Sequence, residues 1–408
     1  MRKSLILSAA PLALAMPAII HAEYKANSFS GLIGSLYAGL DTVSRELVGM
    51  IPSVARNTSV ERAAVGQAVT WWVTPQMGTF NVTPAMTIPE PADVTIGNGT
   101  ITITKSKGVE FGWSGEEQKG LNNGVGYNAV QADLFAQGLR TLVNEIEVDL
   151  CTEGANNASR AYGTAGSVPF QTNVGESAQM RKILDDNGAP STDRSLVGNT
   201  SMGASLRTLQ NLTRVNEAGT QMTLRDGELL NLNGLSIKES AGIIRRVAGT
   251  NSGATTNNAG YAVGATVITL ASAGTGTILA GDTLTFAGDA NKYQVVAGDT
   301  DVSNGGTFTL AAPGLRVAIP AATTAITTIA THDCNLAFQR NAIQFVMRAP
   351  ALPEGGDAAV DRMLLVDPRS GLVFEVALYA GYRKIRAEVV AAWGQKAVKP
   401  NNIAMLLG

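Results

Sequence analysis

Apolar residues recur at three- and four-residue steps through Leu32, Ile33, Leu36, Leu40, Val43, Leu47, Val48 and Ile51. That spacing predicts an amphipathic helix over residues 32–54, which Pro52 limits. Such a stripe has no core of its own to cover, so the segment is expected to be an arm that needs a partner surface. The period then changes. Residues 69–113 hold Trp71-Trp72-Val73, the prolines Pro75, Pro84, Pro89 and Pro91, and the alternation Ile101-Thr102-Ile103-Thr104 ahead of Val109, Phe111 and Trp113. Two-residue alternation interrupted by prolines predicts an extended β-loop.

Helical spacing returns with the strongest stripe of the chain: Val130, Leu134, Phe135, Leu139, Leu142, Val143, Ile146 and Leu150. Asn128 is the expected N-cap and Gly154 the expected stop, giving a rod of roughly 30 to 35 Å at 1.5 Å per residue. A second helix is signalled by Leu206, Leu209, Leu212 and Val215 before Gly219, and another from near Ala178 to Asn187-Gly188. Residues 247–331 are different material, with Asp282, Asp289, Lys292, Asp299, Asp301 and Arg316 their only charged side chains. Short alternating runs at 263–270, 283–286, 293–296, 308–310 and 315–319, separated by Gly-Asp, Asn-Gly and Pro-Gly turns, predict a small all-β, barrel-like domain. It interrupts an α+β body. The body resumes with Asn335, Leu336, Phe338, Ile343, Phe345 and Met347 and closes with Val373-Phe374-Glu375-Val376, a turn at Gly381 and residues 385–390, read as strands of one sheet.

Composition narrows the function. The chain has 408 residues, 45% of them hydrophobic and 16% charged, with 44 glycines and a net charge of −2. A large core follows, under a surface built from Ser, Thr, Asn, Gln and Gly. Near-zero net charge disfavours a dedicated nucleic-acid binder, which would need Lys and Arg to neutralise phosphates, but suits a container that does not grip its contents. Chemistry is sparse. The histidines are His21 and His332, the cysteines Cys151 and Cys334, and neither CxxC nor HExxH spacing occurs. The two thiols are read as small buried side chains, with one disulfide between them the alternative. A Ser-His-Asp constellation has one candidate histidine outside the leader-like start, and His332-Asp333 reads as a surface pair. Glu116-Glu117 and Asp185-Asp186 read as solvated loop carboxylates, and the Gly120 to Gly124 stretch lacks the Lys-Ser/Thr of a phosphate loop. No catalytic, cofactor or metal site is expected.

Residues 1–22 pull elsewhere. Arg2 and Lys3 precede an apolar stretch from Leu5 to Ile20, interrupted by Pro11 and Pro17, and Ala22 stands before Glu23. Alone this reads as a secretory leader, too short and broken for a comfortable membrane span. It suits a secreted β-rich surface-layer or adhesin protein, the rival reading.

The run Asn27-Ser28-Phe29-Ser30-Gly31-Leu32-Ile33, then Leu40-Asp41-Thr42-Val43-Ser44-Arg45-Glu46-Leu47-Val48-Gly49-Met50-Ile51-Pro52, resembles the N-terminal arm of coat proteins of short-tailed bacteriophages of the Lederbergvirus type. The stretch Asn335-Leu336-Ala337-Phe338-Gln339-Arg340-Asn341-Ala342 to Met347-Arg348-Ala349-Pro350 is similar again. The resemblance covers about residues 25–408, is most specific at the two ends and is weakest in the inserted domain. It implies the α+β tailed-phage and herpesvirus capsid fold. The parts would be an unmatched extension at 1–25, an N-terminal arm at 26–60, an extended β-loop region at 61–126 and a spine helix at 127–154. A first peripheral and axial part at 155–234, the inserted all-β domain at 235–334 and a second axial and peripheral part at 335–408 would follow. The implied function is a major capsid protein that forms an icosahedral head around double-stranded DNA, assembling in the host cytoplasm and remaining in the virion. Implied partners are copies of itself in hexamers and pentamers, a scaffolding protein, a portal protein and DNA bound without sequence specificity, with no membrane and no cofactor. Candidate subunit contacts are Leu36, Leu40, Arg45, Glu46 and Leu47 on the arm and Trp71, Trp72, Trp113, Glu116 and Glu117 on the loop.

Overall fold

The computed structural model describes residues 47–73, 79, 81–84, 97–122, 127–209, 231–368 and 370–408. Most of the expected arm helix lies outside these residues. Its described end, residues 47–54, makes turns and bends instead of helix. Three consecutive backbone N–H groups there, at residues 49–51, all donate to one carboxylate, which supplies the partners a helix would otherwise provide.

From there the chain forms β1 (Ala55–Ala63), β2 (Ala68–Val73), β3 (Gly97–Thr102) and β4 (Lys105–Ser114), then a short helix α1 (Gly115–Asn122) and a long one, α2 (Tyr127–Asn156). A mixed middle follows: β5 (Arg160–Tyr162), α3 (Gly175–Asp186), β6 (Arg194–Gly198), α4 (Thr200–Thr208), β7 (Asn231–Leu232), β8 (Leu235–Glu239) and β9 (Arg245–Arg246). Short strands come next: β10 (Val267–Thr269), β11 (Thr283–Phe286), β12 (Lys292–Ala297), β13 (Thr307–Leu310) and β14 (Ile326–Thr328). The chain closes with β15 (His332–Gln339), β16 (Ile343–Pro350), β17 (Ala359–Val366), β18 (Val373–Gly381), β19 (Lys384–Ala397) and β20 (Ile403–Leu407). The architecture is α+β.

One sheet runs β1-β16-β19-β18-β17, with β4 also on β19. The fourteen-residue β19 is its hub. Residues 384–390 pair with β18, 392–397 with β16 and 384–393 with β4. Ala387, Val389, Ala391 and Trp393 all turn inward at 0% exposure, the two-residue period of a strand with one buried face. Onto that face lies α2. Its stripe of Phe135, Leu139, Leu142, Val143, Ile146 and Leu150 is buried against Phe345, Phe374, Val389 and Trp393 in one core. Truncating one of these buried side chains to alanine costs ~2–5 kcal/mol.

The ends of α2 differ from expectation. Asn128 lies inside the helix, and α2 has thirty residues, about 45 Å at 1.5 Å each. Gly154 does not stop it. That residue is buried, and a Cβ on it would lie 2.6 Å from Leu336 Cδ1, so glycine there permits close packing of helix on β15. The helix expected around Leu206 begins earlier, as α4, and ends at Leu209; Leu212 and Val215 are outside the described residues. The excursion at 69–113 divides in two. β2 and β3 form a separate two-stranded sheet, whereas β4 is a full member of the main sheet.

A second sheet, β10-β13-β12-β5-β20-β15-β6-β8-β7, carries α3 and α4 over Leu196, Leu235, Ile237, Ala337, Ala404 and Leu406. The strand-only stretch has its own core, including Leu284, Phe286, Tyr293, Val295, Phe308 and Leu310. It joins the body's strands through β12 on β5. The expected run at 315–319 forms only an isolated bridge, Tyr261 with Ile319.

Candidate assembly surface

Three places at the body's periphery are each built from a few side chains. The first is the β2–β3 hairpin. Trp71 faces Gly99 across it, and a Cβ at residue 99 would lie 2.1 Å from the indole, so the ring lies over bare backbone. Lys396 reaches from β19 to clasp this hairpin: its Nζ donates to the Thr100 carbonyl (3.1 Å) and sits 5.8 Å from the Trp71 ring centre. At the base, Ala63, Ile101, Ile103, Val346 and Ala392 form a small separate core. Gly394 completes the attachment, because any Cβ there would lie 2.2 Å from the Thr102 carbonyl oxygen. Among the hairpin's described side chains only Ile101 is buried.

The second is the root of the N-terminal segment. Glu147, 2% exposed on α2, accepts from the backbone N–H of Gly49 (2.7 Å), Met50 (2.7 Å) and Ile51 (3.0 Å) and from Ser240 Oγ (2.6 Å). One carboxylate thus ties the chain's entry point to the long helix and to the strand end after β8. Sequence reasoning missed it. The available signal was an acid among Val143, Ile146 and Leu150, on the apolar stripe itself.

The third is the tip where β18 turns into β19, beside α1. A groove of about 660 Å³ runs there between Trp113, Glu116 and Lys119 on one side and Tyr382, Arg383 and Ile385 on the other. The turn has two residues, Tyr382 and Arg383, between the paired Gly381 and Lys384. Arg386 and Glu110 form an ion pair nearby on the sheet surface.

The expected contact residues are scattered over these places. Leu36, Leu40, Arg45 and Glu46 lie outside the described residues, as does the side chain of Trp72. Leu47 is exposed and Trp71 half-buried. Trp113 spends its ring on the subunit's own core, edge-on to Phe111 at 5.2 Å. Glu116 is exposed at the start of α1. Glu117 caps that helix: its carboxylate accepts from Ser114 N–H (2.7 Å) while Ser114 Oγ accepts from Glu117 N–H (3.3 Å), a reciprocal capping box. These hydrogen bonds hold the Glu117 carboxyl below the usual range.

The polar groups weighed for chemistry are structural. His332 is no surface pair; it is 1% exposed, with Nδ1 2.8 Å from the Ala330 carbonyl, and burial holds its imidazole below the ordinary value. Asp185 and Asp186 are no loop pair either. They end α3 and face the buried guanidiniums of Arg194 (2.7 Å) and Arg160 (3.1 Å). Cys151 and Cys334 are free and buried, and burial pushes the Cys334 thiol up to about 12. Among the described residues no group of three His, Cys, Asp or Glu is placed to hold a metal, and no helix is long and apolar enough to cross a membrane.

The class these observations define is an α+β protein whose peripheral elements are tied to one body at narrow bases. No protein-family model matches the chain, and no curated protein matches it. Among solved structures it is similar to a chain of the capsid of the cyanophage P-SCSP1u, with 12% identity, a TM-score of 0.47 and 89% of each chain covered. It is also similar to a chain from Mycobacterium phage Che8, with 15% identity, a TM-score of 0.42 and 84% of each covered. A third is the virus-like particle from Pyrococcus furiosus, with 10% identity, a TM-score of 0.43, and 92% of this chain and 99% of that one covered.

Proposed function

We propose that this chain is the major capsid protein of a tailed bacteriophage of the Lederbergvirus type. Copies of it assemble as hexamers and pentamers into an icosahedral head around double-stranded DNA. The observation that carries the reading is the β2–β3 hairpin. A two-stranded sheet is at best marginally stable alone, and among the described residues this one meets its own body through a small base cluster and the Lys396 side chain. Such an element gains stability when a neighbouring copy covers it, and many repeated contacts of that kind close a shell by symmetry. The Glu147 anchor supports the same reading, because it gives the preceding arm a fixed point of departure from the body.

In this reading residues 26–60 are the arm, 61–126 the extended loop region, 127–154 the spine, 235–334 the inserted domain, and the remainder the peripheral and axial parts. Assembly takes place in the host cytoplasm with a scaffolding protein and a portal protein, and the head expands when DNA enters. DNA is held without sequence specificity, consistent with a net charge of −2. The chain performs no catalysis. The test is expression with and without residues 1–25, followed by electron microscopy and intact mass. Closed shells or capsomer-like assemblies are expected. An exported monomer cleaved after residue 22 would replace this reading with that of a secreted surface protein.

A further inference from the structure

We infer that the β18–β19 tip of one copy seats in the groove beside α1 of a second copy, with Arg383 of one meeting Glu116 of the other. The inference rests on the coat-protein reading and names one of its contacts.

The tip is the first reason. Arg383 sits at φ +55°, in the left-handed region where a side chain is strained and where a two-residue hairpin ordinarily places glycine or asparagine. Beside it Tyr382 is 92% exposed, the highest value among the large apolar side chains of the described residues. The turn presents the Tyr382 ring and the Arg383 guanidinium outward, and both side chains are exposed.

The groove is the second reason. Half-buried Ile385 gives it apolar lining beside Trp113, which is buried in the subunit's own core. Glu116 stands in the first turn of α1, where a carboxylate is favoured by the helix's positive end. Neither Glu116 nor Arg383 has an ion pair or side-chain hydrogen bond among the described residues, whereas their neighbours do: Glu117 bonds Ser114, and Arg386 pairs with Glu110 and Glu388. Glu116 is the one acidic side chain lining the groove, where the cations Lys119, Arg383 and Lys384 also stand.

Placement is the third. Tip and groove lie side by side on one end of the sheet. A copy that inserts its tip into a neighbour's groove offers its own groove to a further tip, so the contact repeats head to tail and closes when the rotation closes.

The experiment uses the full chain. Reversals E116R and R383E are each expected to raise the concentration needed for half-assembly about tenfold, with the double swap E116R/R383E returning most of the loss. Circular dichroism confirms that each variant folds. Chains carrying only R383C are then mixed with chains carrying only E116C under mild oxidation; a mixed disulfide dimer is expected, since Cys151 and Cys334 are buried. Closed particles that yield no mixed dimer, or single reversals that assemble like the parent, overturn the contact and leave the coat reading standing. A mixed dimer within open oligomers that never close upholds the contact and removes the coat reading. A chain monomeric at every concentration removes both.

Discussion

Glu147 concentrates more structure than any other single side chain described. Four donors converge on it, three of them backbone N–H groups with no alternative partner nearby. Glu147→Leu leaves those donors buried and unpaired, and is expected to destabilise the fold by about 3–5 kcal/mol, read from the urea midpoint. Glu147→Gln, which keeps one acceptor oxygen, should lose less; equal losses would show that shape rather than hydrogen bonding matters there. His332 gives a pH-dependent counterpart. It faces Asp282, Arg246 and Asp333, and burial depresses its basicity. The unfolded chain therefore takes up a proton at about pH 6.5 before the folded one does, so His332 favours the fold above that pH and the advantage is lost as pH falls toward the folded value. Asp282, pushed up by burial, acts with the opposite sign and at lower pH, because its stabilising share is present below its unfolded value near pH 4. Denaturation midpoints of the parent should decline below about pH 6.5, and His332→Gln should flatten that decline. An unchanged slope in the variant would assign the effect elsewhere.

At the scale of elements, α1 and the hairpin base are each held by one local device. The Ser114–Glu117 capping box was legible as Ser-x-x-Glu, though the two carboxylates there invited a solvated-loop reading. Ser114→Ala is expected to cost about 1 kcal/mol and to speed amide exchange at the start of α1. Gly394 could not be read the same way. Only the tertiary approach of Thr102 to within 2.2 Å of its missing Cβ gives it a role, and the obstacle is backbone, which cannot rotate aside. Gly394→Ala should cost about 1–3 kcal/mol and release the hairpin base, seen as lost exchange protection at Ile101 and Ile103. Wild-type protection at those two amides would refute that role. The stripe of α2 was readable because its residues repeat locally. Its ends were not, because Gly154 is kept helical by packing against Leu336 and Ile343, which lie far along the chain.

At the scale of the molecule, the strand-rich stretch enters and leaves through adjacent strands, with Arg246 opposite His332 and Arg245 opposite Asp333. Its own core is separate from that of the body. Replacing residues 248–330 with a short glycine-serine turn should thus leave a body that unfolds cooperatively, at a lower temperature because β5 loses its β12 neighbour. A chain without cooperative melting would show that the stretch is required for the body to fold. Deleting residues 25–56 tests the other end: monomers should lose the Glu147 anchor, and assembly should fall. Unchanged assembly would remove the arm from the proposed contacts.

By itself the sequence determined what depends on neighbours a few residues apart. The stripe of α2 and the strand runs at 283–286 and 293–296 are local patterns. Tertiary structure decided what depends on chain segments meeting from a distance. It placed β4 on β19, set the carboxylate of Glu147 under residues 49–51, buried His332 and Trp113, and brought the tip at Tyr382 beside Glu116. Periodicity records which face of an element is apolar. It does not record which face of which other element will cover it, and that choice created both the anchor and the groove.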